Sequence, residues 1–193
     1  MTSTQHPAPP ALILIDIQKG FDTPGYYGGH PRNNPEAEQN AHRILEHWRQ
    51  RQWPLFHFQH CSVKPGSPLA ESHPGNAIKD EVKPLPGEPL IKKSVNSAFI
   101  GTNLKERLDA QGITDLVIIG LTTQHCVSTT VRMAGNLGFD AFVAADACAA
   151  QSRTGYDGKQ HSAQMVHDVA LANLHGEFAE VTETARILQA LQD

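Results

Sequence analysis

The chain has 193 residues and a mass of 21.1 kDa, enough for one compact domain that buries about 70% of the surface its unfolded form exposes. Hydrophobic residues make up 39% and charged residues 19%, which excludes the lean, highly charged profile of disorder. A net charge of -4 supplies no basic stripe for a phosphate backbone, so no nucleic-acid partner is expected.

The longest apolar runs fall far short of the ~20 residues of a spanning helix, and no membrane partner is expected either. Residues 1–10, MTSTQHPAPP, lack the basic and apolar regions of a signal peptide. They read as a disordered lead-in to a domain at 11–193, with a cytoplasmic location by default. Three cysteines cannot all pair within one chain, and their spacings match no zinc or redox motif. Reduced thiols follow.

In chain order, 11–16 (ALILID) is a short continuous apolar run, the mark of a strand covered on both faces. A helix opens near Pro35, with Asn34 placed to cap it and Glu36 and Glu38 in its first turn. Its apolar stripe is Ala37, Ala41, Ile44, Leu45 and Trp48. A second strand covers 55–59. Residues 60–88 hold five prolines and little periodicity, and a loop of that length in a compact domain is expected to cover a site or form a subunit contact. A short strand at 90–92, a helix through Leu104 and Leu108 ending at Gly112, and a buried strand at 115–119 come next. The remaining elements are a helix over 126–137 closed by Gly138, a strand at 141–145, a helix carrying Met165, Val166, Val169 and Leu174, a strand at 178–181 and a closing helix with Ile187, Leu188 and Leu191. This alternation predicts a three-layer α/β fold of Rossmann type, with a parallel sheet and right-handed crossovers.

Ligands of such sheets lie beyond the carboxyl ends of the strands, where strand order reverses. Asp16 closes the first strand, Lys93 follows the third, and Cys126 follows the fourth after a turn. Singly, Asp16 reads as a capping carboxylate, Lys93 as a solvated lysine and Cys126 as a buried inert thiol. Together they supply a base, a cation and a nucleophile at one sheet edge. A helix N-terminus at Cys126 would favour the thiolate and offer N–H groups to an oxyanion, an effect worth about 3–4 kcal/mol per well-placed donor.

The sequence here resembles the isochorismatase-like cysteine hydrolases. The resemblance is carried by ALILIDIQKGF with Asp16, Gln18 and Phe21, by IKKSVNSAFIGTNL with Lys93 four residues before Ser97-Ala98-Phe99, by GLTTQHCVSTTVRMAGNLGF with Cys126, and by DACAA at Asp146. It implies a six-stranded parallel sheet, a triad of Asp16, Lys93 and Cys126, and a cis peptide between Leu121 and Thr122. It also implies an oxyanion hole from the Thr122 and Cys126 N–H groups and a small-molecule pocket bordered by Phe21, Gln18, Gln124 and His125. Lys92 stands beside Lys93 as the alternative cation. A homodimer or higher homo-oligomer is implied as well.

Family members that bind a metal do so through an Asp-x-His motif after strand two, where this chain reads FHFQHCS; no metal and no other cofactor is expected. His57 and His60 point to opposite faces of an extended segment and read as structural. His161, His167 and His175 are assigned to a helix and its end. Arg32 is either part of a turn with Asn33 and Asn34 or a substrate contact, Trp48 and Trp53 are packing residues, and Cys61 and Cys148 are inert. The Gly28-Gly29 pair belongs to a loop. No G-x-S-x-G elbow, Walker loop or G-x-G-x-x-G follows any strand.

The leading expectation is therefore hydrolysis of a small C–N (amide or carbamoyl) bond through a thioester. Vinyl-ether hydrolysis, which needs no thiol, and a non-catalytic binding or scaffold protein on the same fold are the alternatives. Specificity is expected to rest with residues 22–34, 60–88 and 150–160.

Overall fold

The structure, a computed structural model, describes residues 8–26 and 32–191. Gly28, Gly29 and most of the lead-in lie outside these residues. Strand β1 (Ala11–Ile15) is buried at every position. It is followed by α1 (Ala37–Arg51), β2 (Leu55–His60), β3 (Leu90–Lys93), α2 (Leu104–Asp109), β4 (Asp115–Leu121), α3 (Ser128–Asn136) and β5 (Asp140–Ala149). Two-residue strands β6 (Arg153–Thr154) and β7 (Gln160–His161), α4 (Ala163–Ala172), β8 (Glu180–Thr182) and α5 (Thr184–Ala190) complete the chain. Six strands form one parallel sheet in the order β3-β2-β1-β4-β5-β8, and β6 pairs with β7 as a separate antiparallel hairpin. The expected three-layer α/β class is the one found. No described helix is long and apolar enough to cross a membrane.

Crossovers run outward from β1 to β2 and, in the opposite sense, from β4 to β5, so right-handed connections put α1 and α3 on opposite faces. The predicted stripe of α1 is its buried face, and Trp48 donates its indole N–H to the Pro10 carbonyl at 2.9 Å. The switch point lies between β1 and β4. Register brings Ile15 beside Phe58 of β2 and Gly120 of β4, and His60 beside Lys93. Gly120 has φ +130°, and a Cβ there would lie 2.1 Å from the Ile15 carbonyl oxygen. Only glycine permits this approach.

Several elements differ from the sequence reading. Asn34 does not cap α1: its backbone is left-handed (φ 46°), and its amide instead donates to the Ala145 and Cys148 carbonyls of β5. Strand β5 runs to Ala149, past the Asp146 that marks a polar end in the sequence. That carboxylate accepts from the Thr184 N–H and hydroxyl, each at 2.8 Å, and so fixes the start of α5. His161 belongs to β7 of the hairpin and not to a helix. On α4 the buried positions are Ala163, His167 and Leu171, while Met165 and Val169 are exposed. The inner face of α4 is chosen by His167, whose Nδ1 meets the Thr123 hydroxyl at 2.9 Å, and apolar periodicity cannot register such a polar contact.

The long 60–88 segment is pinned from below. Asn76 donates to the His60 and Leu69 carbonyls, and its own carbonyl accepts from the Gln18 and Gln59 amides. Lys79 is buried on Glu38 and Asp22, and Arg32 grips Glu38 from the other side. Further along, Glu88 receives both guanidinium arms of Arg49, the Leu85 N–H and the His57 ring. Burial opposes its ionisation, but Arg49, Leu85 and His57 outweigh it and bring its carboxyl from 4.5 down to about 2. As pH falls, the unfolded chain takes up this proton first, so the contribution is complete above about pH 4.5 and is lost between there and about 2. Glu88→Gln is expected to lower stability to urea at pH 7 and to flatten its decline over that acid interval. An unchanged slope would remove Glu88 from the acid response.

Candidate active site

Three strand ends deliver the site. Immediately after β1, Asp16 turns left-handed (φ 50°), a conformation rare for a residue with a Cβ and found mainly where surrounding contacts impose it. Its carboxylate Oδ2 accepts from Lys93 Nζ at 2.5 Å, with both side chains fully buried. Lys93 is the last residue of β3 and also donates to the Val95 carbonyl at 3.1 Å. Lys92, the alternative, points outward and pairs with Glu71 at the surface. Lys93 is thus the inward cation.

Cys126 lies in a wide turn, Thr123–Val127, between β4 and α3. The His125 and Val127 N–H groups both donate to the Thr122 carbonyl, and the Leu121–Thr122 peptide is cis. The thiol is therefore in this wide turn just ahead of the regular helix rather than at its first residue. Its Sγ approaches Asn96 Oδ1 at 3.7 Å. Burial, followed by the negative charge of Asp16, pushes the thiol well above its ordinary pKa, with Lys93 opposing. This corrects the expectation of a depressed value: burial and the Asp16 carboxylate both act against the thiolate.

A cavity of about 400 Å³ opens in front of Cys126, within the range of small-molecule sites. Phe21 and His125 line it, and so do Thr122, Tyr26, Asn96 and His60. Two expected pocket residues are elsewhere. Gln18 is fully buried and spends its amide on the His60 backbone and the Asn76 carbonyl, so it holds β2 and the long loop in place. Gln124 lies instead in an apolar groove between α3 and α4, because the turn around Cys126 sends successive side chains to different sides. Arg32 is bound to Glu38 and does not line the cavity.

His60, expected to be structural, lines the cavity beside Lys93. Its Nδ1 is 3.5 Å from Lys93 Nζ, and burial foremost holds the ring neutral. The strand-end rule that selected Lys93 also selects His60, its register partner. His57, by contrast, is structural, bonded to Glu88. Asp16, His60 and Cys126 each offer a ligand atom, and these atoms lie within 4.8 Å of one another. A borderline-soft cation such as Zn²⁺ could use that donor set, but the Lys93 ammonium occupies the same space and opposes a second positive charge.

Fold and cluster define a three-layer α/β protein with a thiol, a carboxylate and an ammonium meeting at the switch point. The chain belongs to the isochorismatase family of hydrolases, whose domain model matches residues 10–186. It is 47% identical to the isochorismatase family protein YrdC of Bacillus subtilis over 178 residues, 92% of this chain and 94% of that one. An isochorismatase-family crystal structure from Chromobacterium violaceum superposes with a TM-score of 0.91 at 46% identity, covering 97% of this chain and 95% of the other. The ureidoacrylate amidohydrolase RutB of Agrobacterium fabrum is 28% identical over 176 residues, 75% of this chain and 77% of its own length.

Because Asp16 helps to hold the thiol up, Asp16→Asn is expected to lower the midpoint of Cys126 thiolate formation, followed by ultraviolet thiolate absorbance across a pH series. A midpoint that rises or stays would show that Asp16 does not act on the thiol through its charge.

Proposed function

We propose that the protein is a cysteine hydrolase that cleaves a small amide or carbamoyl C–N bond through a thioester. The observation that carries this reading is the buried Asp16–Lys93 pair beside a thiol that faces a cavity of small-molecule size. The amidohydrolase name of a RutB relative supports the bond type.

In the proposed cycle Asp16 takes the Cys126 proton as the thiolate adds to the carbonyl carbon, which converts the C=O to an oxyanion. The Thr122 and Cys126 N–H groups are assigned to that oxyanion, each worth about 3–4 kcal/mol if well aimed. Collapse breaks the C–N bond, and Asp16 returns the proton to the departing amine. Water then adds to the thioester, giving a proton to Asp16. Loss of the acid regenerates the thiol with that proton. Lys93 fixes the carboxylate through the 2.5 Å contact. The raised thiol pKa suits this order, since the proton leaves only when a carbonyl is present to accept the sulfur electrons.

An ammonia-release screen over amides, carbamoyl compounds and ureides tests the reading. Cys126→Ser is expected to abolish turnover, and Asp16→Asn to lower kcat by about 10²–10⁴-fold. An acyl adduct on Cys126 should be trapped by mass spectrometry after acid quench. Turnover of a vinyl ether with no amide cleaved, or full activity in Cys126→Ser, would overturn it.

A further inference from the structure

The charged groups around the cavity point to something the reacting atoms do not explain. Among the described residues that line it, the only formal charges are the cations Lys64 and Arg153, and no carboxylate lines it. Asp16 and Lys93 sit behind the thiol with fully buried side chains and offset one another. In a chain of net charge -4, the mouth of this cavity has the opposite sign to the molecule as a whole.

Topology puts the two cations on either side of the nucleophile. Lys64 follows β2 and Arg153 opens β6 just after β5, whereas Cys126 follows β4, which lies between β2 and β5 in the sheet. Both act on one point, since after burial the Arg153 and Lys64 charges are what disfavour a proton on His125 in the same wall. Exposed Lys19, Lys92 and Lys105 each have a carboxylate partner, whereas Lys64 has none among the described residues. Phe21 and Tyr26, with ring centroids 6.0 Å apart, supply an apolar stretch of wall.

Building on the proposed C–N hydrolysis, we infer that the substrate is an acidic amide or ureide whose carboxylate is held at the cavity mouth by Lys64 and Arg153 while its carbonyl lies at Cys126. A cleft of one sign walled by low-dielectric protein raises the local concentration of the opposite charge about 10–10³-fold at low salt. The clamp therefore selects anionic over neutral compounds of the same shape. It also orients them, since one end is fixed and only the other reaches the thiol.

Alkylation tests this without turnover. The rates of Cys126 modification by iodoacetate and by iodoacetamide are compared by mass mapping, with glutathione as the reference thiol. The iodoacetate-to-iodoacetamide ratio is expected to exceed that of glutathione by about 10-fold or more at low salt. It should fall toward the glutathione value in Lys64→Gln/Arg153→Gln and with added salt. Both side chains are exposed, so the substitutions leave the core intact. A ratio equal to that of glutathione, or one that the double substitution does not change, overturns the inference. A matched pair, 3-ureidopropanoate against propylurea, extends it to catalysis: preference for the acid supports the clamp, and equal kcat/KM overturns it. If the alkylation preference holds while no amide is cleaved, the clamp stands and the C–N reading falls.

Discussion

Two opposite charges with no access to water, Asp16 and Lys93, set the terms for this site. Desolvating such a pair costs several kcal/mol per ion, which the mutual attraction offsets only with close geometry and further hydrogen bonds. The 2.5 Å contact and the Val95 carbonyl on Lys93 supply part of that, and the left-handed turn at Asp16 aims its carboxylate. The pair contributes little to stability compared with apolar packing in the same space. Its effect is positional: it ties the end of β1 to the end of β3 across β2, and removing either partner would strand a buried charge. The amides of Gln18, Gln59 and Asn76 close the backbone around it, so the long loop after β2 is part of the same construction.

A second constraint comes from backbone volume. β4 approaches β1 so closely at Gly120 that no side chain fits. This places the turn bearing Cys126 directly over the end of β1 and brings sulfur and carboxylate together. From the outer side, His167 of α4 holds the same turn through Thr123. The burial that secures the geometry also pushes the thiol pKa up. In the proposed cycle, reactivity is then tied to occupancy, because the thiol gives its proton to the buried carboxylate as a carbonyl arrives to accept the sulfur electrons.

Where the chemistry follows from position in the sheet, it was legible in the sequence. Continuous apolar runs located β1 and β4, their ends located Asp16 and the Cys126 turn, and Lys93 was separated from Lys92 by its motif spacing. What was hidden depends on contacts between distant segments. Gln18 lies beside Asp16 in a motif associated with the site, yet its partners are 42 and 58 positions away, which no local pattern reports. The place of His60 beside Lys93 has no local signal either, because a histidine on a strand is usually satisfied by its neighbours, as His57 is by Glu88. The inner face of α4 has no apolar signature because His167 is at its centre, and Asn34 does not cap α1 because its partners lie on β5.

The division between what was legible and what was not follows a division in the molecule. Groups at strand ends are held by the hydrogen-bonded sheet; the carboxylate and ammonium are anchored there, and the thiol sits in the turn that follows β4. The cations at the cavity mouth, Lys64 and Arg153, come from a proline-rich loop and a two-residue hairpin strand, where side chains keep solvent contact and tolerate exchange. Bond breaking requires the first kind of support, since small displacements of reacting groups cost large factors in rate. Choosing a substrate by charge does not, because an electrostatic field varies gently with distance. A chain of this fold can therefore hold its reacting groups constant while its loops alter which molecules reach them.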